Sequence, residues 1–437
     1  MAAEQAYIAA FEKWHVAKKH EPSWLRGLRD AAIESLAASG FPTTKQEGWR
    51  YTNLEPVVSR PFRVADRPSP TATPVALPPG AFIEPAAPRL VFIDGFFAPE
   101  LSSIAGIPPG VRAESLAELL QRDDTVAPEL GRQSDVKRNP LVALNTAFVN
   151  DGAVIIAAPG VRCEQPIHVA YLSLAANAVP SVLAQPRTII VVGRASELTV
   201  IESYAGADGG NYFCNAVTEL TGAADATAHH YTIQSESGAA FHTGTLAANM
   251  GQGSRLEAHS VILSGALLRN DVHVALGGEG AECVLNGLYL GTGKQHVDNF
   301  TEIEHLRPRA TSLELYKGIL DGAAHGIFNG KIVVHKDAQK TDARQTNRNL
   351  LLSMDAVVHT NPQLEIYADD VKCSHGSTIG QLDPDALFYL RSRGLGPEEA
   401  RSLLSFAFAS DIVQRMKANS LRRALEQYLA AIFYRHN

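Results

Sequence analysis

The pattern of apolar and polar positions changes character twice along the chain. Near the start, Leu25, Leu28, Ala32 and Leu36 fall three or four apart after Pro22, the spacing of one helical face. Gly40 and Pro42 follow as a stop signal. A run rich in Pro, Ala and Ser from Pro61 to Pro88 reads as loop or linker. "RLVFIDGFFAPEL" predicts a short hairpin turning at Asp94 and Gly95, and Ala113 to Gln121 a short helix. From about Pro140 to Gly380 the helical period vanishes, and short β-rich pieces alternate with glycine turns. Four of them, GRASELTVIES, GAADATAHHYT, GQGSRLEAHSV and GEGAECVLNGL, lay over one another. Their leading glycines (Gly193, Gly222, Gly251, then Gly278 or Gly280) recur at roughly 27 to 29 residues. Units this short cannot bury their own apolar face and must stack on neighbours. Strands joined by turns favour a β-helix, with a β-sandwich or jelly roll as the rival.

After Gly380 the helical period returns. Gly396, Pro397 and two glutamates open a helix in which Leu404, Phe408, Ile412 and Met416 step by four along one face. Leu421, Leu425, Leu429 and Phe433 repeat the pattern. Two amphipathic helices in this position are expected to cap the last coil, to offer a partner-binding face through Leu404, Phe408, Ile412 and Met416, or both. The chain thus divides into an N-terminal helical region with linker and hairpin (1–135), a β-helix core (136–382) and a C-terminal helical region (383–437).

Composition narrows the function. Of 437 residues, 45% are hydrophobic and 19% charged, an ordinary globular balance, and the formal net charge is −7. With no basic run, nucleic acid and anionic membrane are not expected as partners. Cys163, Cys214, Cys283 and Cys373 are far apart and never form C-x-x-C, which fits a reducing compartment. No signal peptide or membrane-spanning stretch is read, so a cytoplasmic protein is expected. Phosphate-binding loops and the common hydrolase and metalloprotease motifs are missing.

"DDVKCSHGS", Asp369 to Ser377, concentrates the remaining chemistry. In an extended segment Asp369, Val371, Cys373 and His375 would share one face. Cys373 and His375 are open to three readings: a nucleophile with its base, half of a metal site completed by another chain, or a polar strand end. As a catalytic dyad they are poorly placed, since side chains two apart on a strand stand roughly 6 to 7 Å apart. A stand-alone β-solenoid enzyme acting on a carbohydrate or other small substrate is the alternative class. It needs paired carboxylates on neighbouring coils, which Asp369 and Asp370 do not supply.

The block from Gly326 to Leu395, with "KQEGWRYTNL" near the start and "LVALNTAFVNDGA" before the repeats, resembles the SufB/SufD family of iron–sulfur cluster assembly (the SUF system), over essentially the whole chain. "DDVKCSHGST" and the chain length are similar to the SufD branch. The resemblance implies a right-handed parallel β-helix with helical flanks, and a non-catalytic scaffold that pairs with SufB along the β-helix. It implies docking of the ATPase SufC on the C-terminal helices. It also implies a transient Fe–S cluster near the SufB interface, with His375, and less surely Cys373, as ligands from this side. The chain alone would hold no cluster or metal stably, and would be able to form a homodimer when the partner is missing.

Overall fold

The computed structural model describes residues 3–16, 21–60, 62–67, 77–84, 86–122, 126–174 and 181–434. Part of the Pro61–Pro88 run, read as a linker, lies outside them.

Two sheets run through the β-rich zone, one of eleven strands and one of ten. From Glu197 onward successive strands alternate between the sheets, and each pairs in parallel with the strand two later in sequence. Thr227 pairs with Arg255, Arg255 with Glu282 and Glu282 with Thr311, so one turn of this solenoid takes about 28 residues. That is the period of the glycines, and the parallel β-helix is what the repeat predicts. Along Asp342–Leu351, Ala343, Gln345, Asn347 and Asn349 are buried while Arg344 and Arg348 are exposed, the two-residue alternation of a strand with one inward face. The turn glycines serve close stacking. A Cβ on Gly193 would stand 2.7 Å from the Ala157 carbonyl oxygen, and one on Gly278 2.0 Å from the Gln252 nitrogen.

At the N-terminal end of the solenoid the two sheets finish in short strands. Arg89–Ile93 and Phe96–Phe97 form the expected hairpin, with Asp94 at φ 50° and Gly95 at φ 87° in its turn. Arg89–Ile93 also pairs with Ile167–Ser173 and starts the ten-stranded sheet. Val111–Ser115 pairs antiparallel with Gly152–Ala157 and starts the other. The helix read over Ala113–Gln121 is therefore a strand followed by a helix, Leu116–Arg122. Ala113 packs into the solenoid core, which overrides its helix preference. Helices Ala3–Val16, Ser23–Ser39 and Pro140–Phe148 share one core, in which Tyr7, Phe11 and Leu36 meet Leu144 and Phe148.

Two polar clasps tie this region to the solenoid. Arg187 and Glu219, both fully buried, meet at 2.6 Å, and Glu219 also accepts backbone N–H bonds from Gly131, Gln133 and Ser134. Burial opposes ionisation, but the guanidinium and these donors hold the Glu219 carboxyl below its usual range. At the "KQEGWRYTNL" segment, the Arg269 guanidinium lies 3.7 Å from the Trp49 ring centroid and donates to the Gly48 carbonyl at 2.8 Å. Thr52 donates to Asp298 at 2.5 Å.

At the C-terminus, Pro397–Val413 and Asn419–Phe433 are the two expected helices, preceded by a third, Pro384–Ser392. They do not close the last coil. Ile412, Met416, Leu421, Leu425 and Leu429 pack on the outer face of the ten-stranded sheet, against Ile201, Tyr231, Val261, Leu288 and Ile319. Lys317 clamps the longer helix, reaching Asp411 at 2.8 Å and the Phe408 carbonyl at 3.1 Å.

Candidate functional site at the open end of the solenoid

Because the terminal helices lie on the flank, nothing among the described residues continues either sheet beyond its last strand. Val357–Ile366 ends the eleven-stranded sheet and Lys372–Gly380 the ten-stranded one. Each has one hydrogen-bonded neighbour and one free edge, 10 and 9 residues long. Long open edges of this kind are usually covered, shortened or charged. Pro362 sits in the middle of Val357–Ile366, a position tolerated on an edge strand.

The "CSHG" segment lies on this edge. Cys373 is in register with Ala343 and His375 with Gln345, so both belong to the inward-facing row of the last coil. The row has no further coil above it. His375 is exposed and Cys373 half-buried against Ile332, Val334 and Val371. Burial pushes the Cys373 thiol above its usual value, with the nearby Asp342 charge adding to it, so it is not a ready thiolate. The strand begins only at Lys372. Asp369 therefore lies in the preceding turn and does not share the strand face with Cys373 and His375. Asp370 pairs with Lys340.

Below His375 runs a polar column. Gln345 is next in register and Glu314 next after it, and the Gln345 amide donates to Glu314 at 2.7 Å. Burial raises the Glu314 carboxyl to about 7. Sequence reading did not find this column, because its members are some 30 residues apart and connect only through the coil register.

Exposed apolar side chains gather around the same end. Met354, Val357, Tyr367, Ile379, Phe388 and Tyr389 are all large and exposed, and Ile379 shares the row of Cys373 and His375. The helix Pro384–Ser392 buries none of its residues. By contrast, the partner-binding stripe read on the next helix is largely committed to the solenoid. Ile412 and Met416 are 0% and 1% exposed, and Leu404 and Phe408 half-buried. The exposed Tyr51 stacks on His359 of the edge strand, ring centroids 4.0 Å apart and planes 7° apart, bringing the N-terminal segment to the same end. Among the described residues no helix is long and apolar enough to cross a membrane.

This arrangement can do one thing well. It presents hydrogen-bonding edges, an apolar rim and a ligand-capable imidazole, groups of the kind a second chain can pair with.

Comparison with known proteins agrees with that geometry. Residues 174–408 match the model of the SUF system FeS cluster assembly SufBD core domain, and residues 1–169 that of the SufBD protein N-terminal region. An iron–sulfur cluster assembly SufBD family protein of Synechocystis is 35% identical over 93% of this chain and 91% of its own length. The iron–sulfur cluster assembly protein SufD of Escherichia coli is 29% identical over 97% of this chain and 96% of its own. SufD of Bacillus subtilis is 24% identical, covering 97% of each. With the two family models matching residues 1–169 and 174–408, this chain belongs to the SufBD family of SUF-system iron–sulfur cluster assembly proteins.

Proposed function

We propose that this chain is a non-catalytic scaffold subunit of the SUF assembly machinery. Its open end pairs with a SufB-type partner, and His375, with Cys373 beside it, contributes to a site where a nascent Fe–S cluster forms between the two chains. The cluster is cargo, made there and passed on. The observation that supports the reading is the solenoid's asymmetry: its sheets finish in strands of 2 and 5 residues at the N-terminal end, and in free edges of 10 and 9 residues at the C-terminal end, beside an apolar rim and an exposed histidine. An incomplete ligand set is expected of a site shared by two chains. Without SufB, the same edges would pair with a second copy.

Docking of the ATPase SufC is proposed for the C-terminal helices. The side chains free for it are the exposed Phe388 and Tyr389 and the outward parts of Leu404 and Phe408, since Ile412 and Met416 are used in packing.

The test is co-expression with SufB- and SufC-type partners and size-exclusion of the complex. Ile379→Lys places a charge on the open row, where the side chain is 48% exposed and removes no core contact. The variant is expected to fold alone, to lose SufB and to keep SufC. Unchanged co-elution with SufB would refute the open end as the pairing surface.

A further inference from the structure

Four to five rungs below the open end, about 19–24 Å along the solenoid axis, three metal-ligating side chains meet in its core. Cys214, on Phe213–Gly222, and His242, on Phe241–Met250, are direct register partners on neighbouring coils. Glu236 enters from the turn after Thr227–Ser235. The thiol sulfur, a carboxylate oxygen and a ring nitrogen all lie within 4.8 Å of one another, and all three residues are buried.

The surroundings hold this group in place. His242 Nδ1 is 2.8 Å from Glu236 Oε1, the Tyr212 hydroxyl donates to Glu236 Oε2, and the Ser237 N–H donates to that hydroxyl at 3.1 Å. The second ring nitrogen, Nε2 of His242, is buried and has no hydrogen-bond partner. A Cβ on Gly244 would stand 3.1 Å from that nitrogen. Glycine therefore leaves space there, and His242 and Gly244 line a cavity of about 40 Å³ with Gln234 and Asn270. That volume admits a water beside polar groups able to bind it. The buried acids Glu219 and Asp298 sit against guanidinium groups, whereas Glu236, like Glu202 beside His230, has no guanidinium against it and meets only a phenol and an imidazole.

We propose that Cys214, Glu236 and His242 hold a thiophilic divalent cation, zinc by chemical class, in the core of the solenoid. Thiolate, carboxylate and neutral imidazole are a zinc donor set, and three protein ligands leave a fourth position for water. Tetrahedral coordination sets the donor atoms ~3.3–3.8 Å apart, which opens the 2.8 Å contact between His242 Nδ1 and Glu236 Oε1 by a side-chain adjustment. One thiolate and one carboxylate cancel the charge of the dication, so the loaded site is neutral, the form a core tolerates. Tyr212 orients the carboxylate, and a water in the cavity satisfies Nε2. The Cys214 thiol must lose its proton to bind the ion. Loading therefore releases a proton, and affinity rises with pH. This resident ion departs from the expectation that the isolated chain stably holds no metal, and it is independent of the cluster site at the open end.

The test is metal analysis of the full chain, expressed in zinc-supplemented medium and dialysed against EDTA under reducing conditions. About one zinc per chain is expected to remain. Refolding with cobalt alone is expected to give the near-ultraviolet thiolate-to-cobalt band, which requires no variant. Cys214→Ser and His242→Gln are each expected to weaken retention more than about 100-fold, while the Cys373→Ser, His375→Ala double variant keeps its zinc. A folded wild-type chain that takes up neither ion, or metal lost only with Cys373 and His375, would overturn the proposal.

Discussion

Glu314 illustrates what the solenoid interior does to a single side chain. Its carboxyl is held at about 7 by burial, against about 4.3 in an unfolded chain. The folded form thus binds the proton more tightly, so this contribution to stability is complete below about pH 4.3 and is lost as pH rises through 7. Glu314→Gln keeps the shape and removes the titration. The variant is expected to melt at a higher temperature than wild type at pH 8 and close to wild type at pH 5. Equal melting temperatures at both pH values would show that the acid is not buried in solution as it is here. At this scale the sequence was readable where residues cluster locally. The "CSHG" strand drew attention because a thiol and an imidazole sit two apart. Glu314 and Gln345 escaped because their relation to His375 is vertical, through register. Cys214 and His242 escaped for the same reason, although they are one repeat period apart.

Among the elements, the terminal helices were predictable in existence and not in placement. A step of four along Leu404, Phe408, Ile412 and Met416 declares an apolar face but does not say what covers it. The cover is a second apolar row on the sheet's outer side, including Tyr231, Val261 and Leu288. Such strands are apolar on both faces, and their periodicity does not reveal which face meets a helix. This placement has a mechanical consequence. Ile412→Ala is expected to cost about 3 kcal/mol of stability, read from the urea midpoint, because the vacated volume lies between helix and sheet. A change below about 0.5 kcal/mol would mean that the helix is loosely held and free to serve a partner with its inner face. Deleting everything from Gly396 would similarly bare the flank, so point substitutions at Phe388 and Tyr389 are the cleaner probe of ATPase docking.

For the whole molecule, the repeat period carried the architecture. A spacing of 27 to 29 residues between glycines is the length of one coil, and it is set by two strands and two turns whose backbones nearly touch. What the period could not reveal is polarity along the axis. The hairpin and the strand Val111–Ser115 finish the sheets at one end with short edges, both drawn from a region that reads as separate from the repeats. The other end stays open, because the helices that could cover it turn back along the side. The proposed function rests on that asymmetry, and its central claim is that the open end carries half of a cluster site. The most direct measurement is the iron content and visible absorbance of the co-expressed complex with His375→Ala, with size-exclusion as the control for assembly. The exposed imidazole supports no core contact, so the complex is expected to elute unchanged while its cluster content falls several-fold. Cys373→Ser is expected to have the smaller effect. A His375→Ala complex that assembles and carries its full complement of clusters would contradict the account.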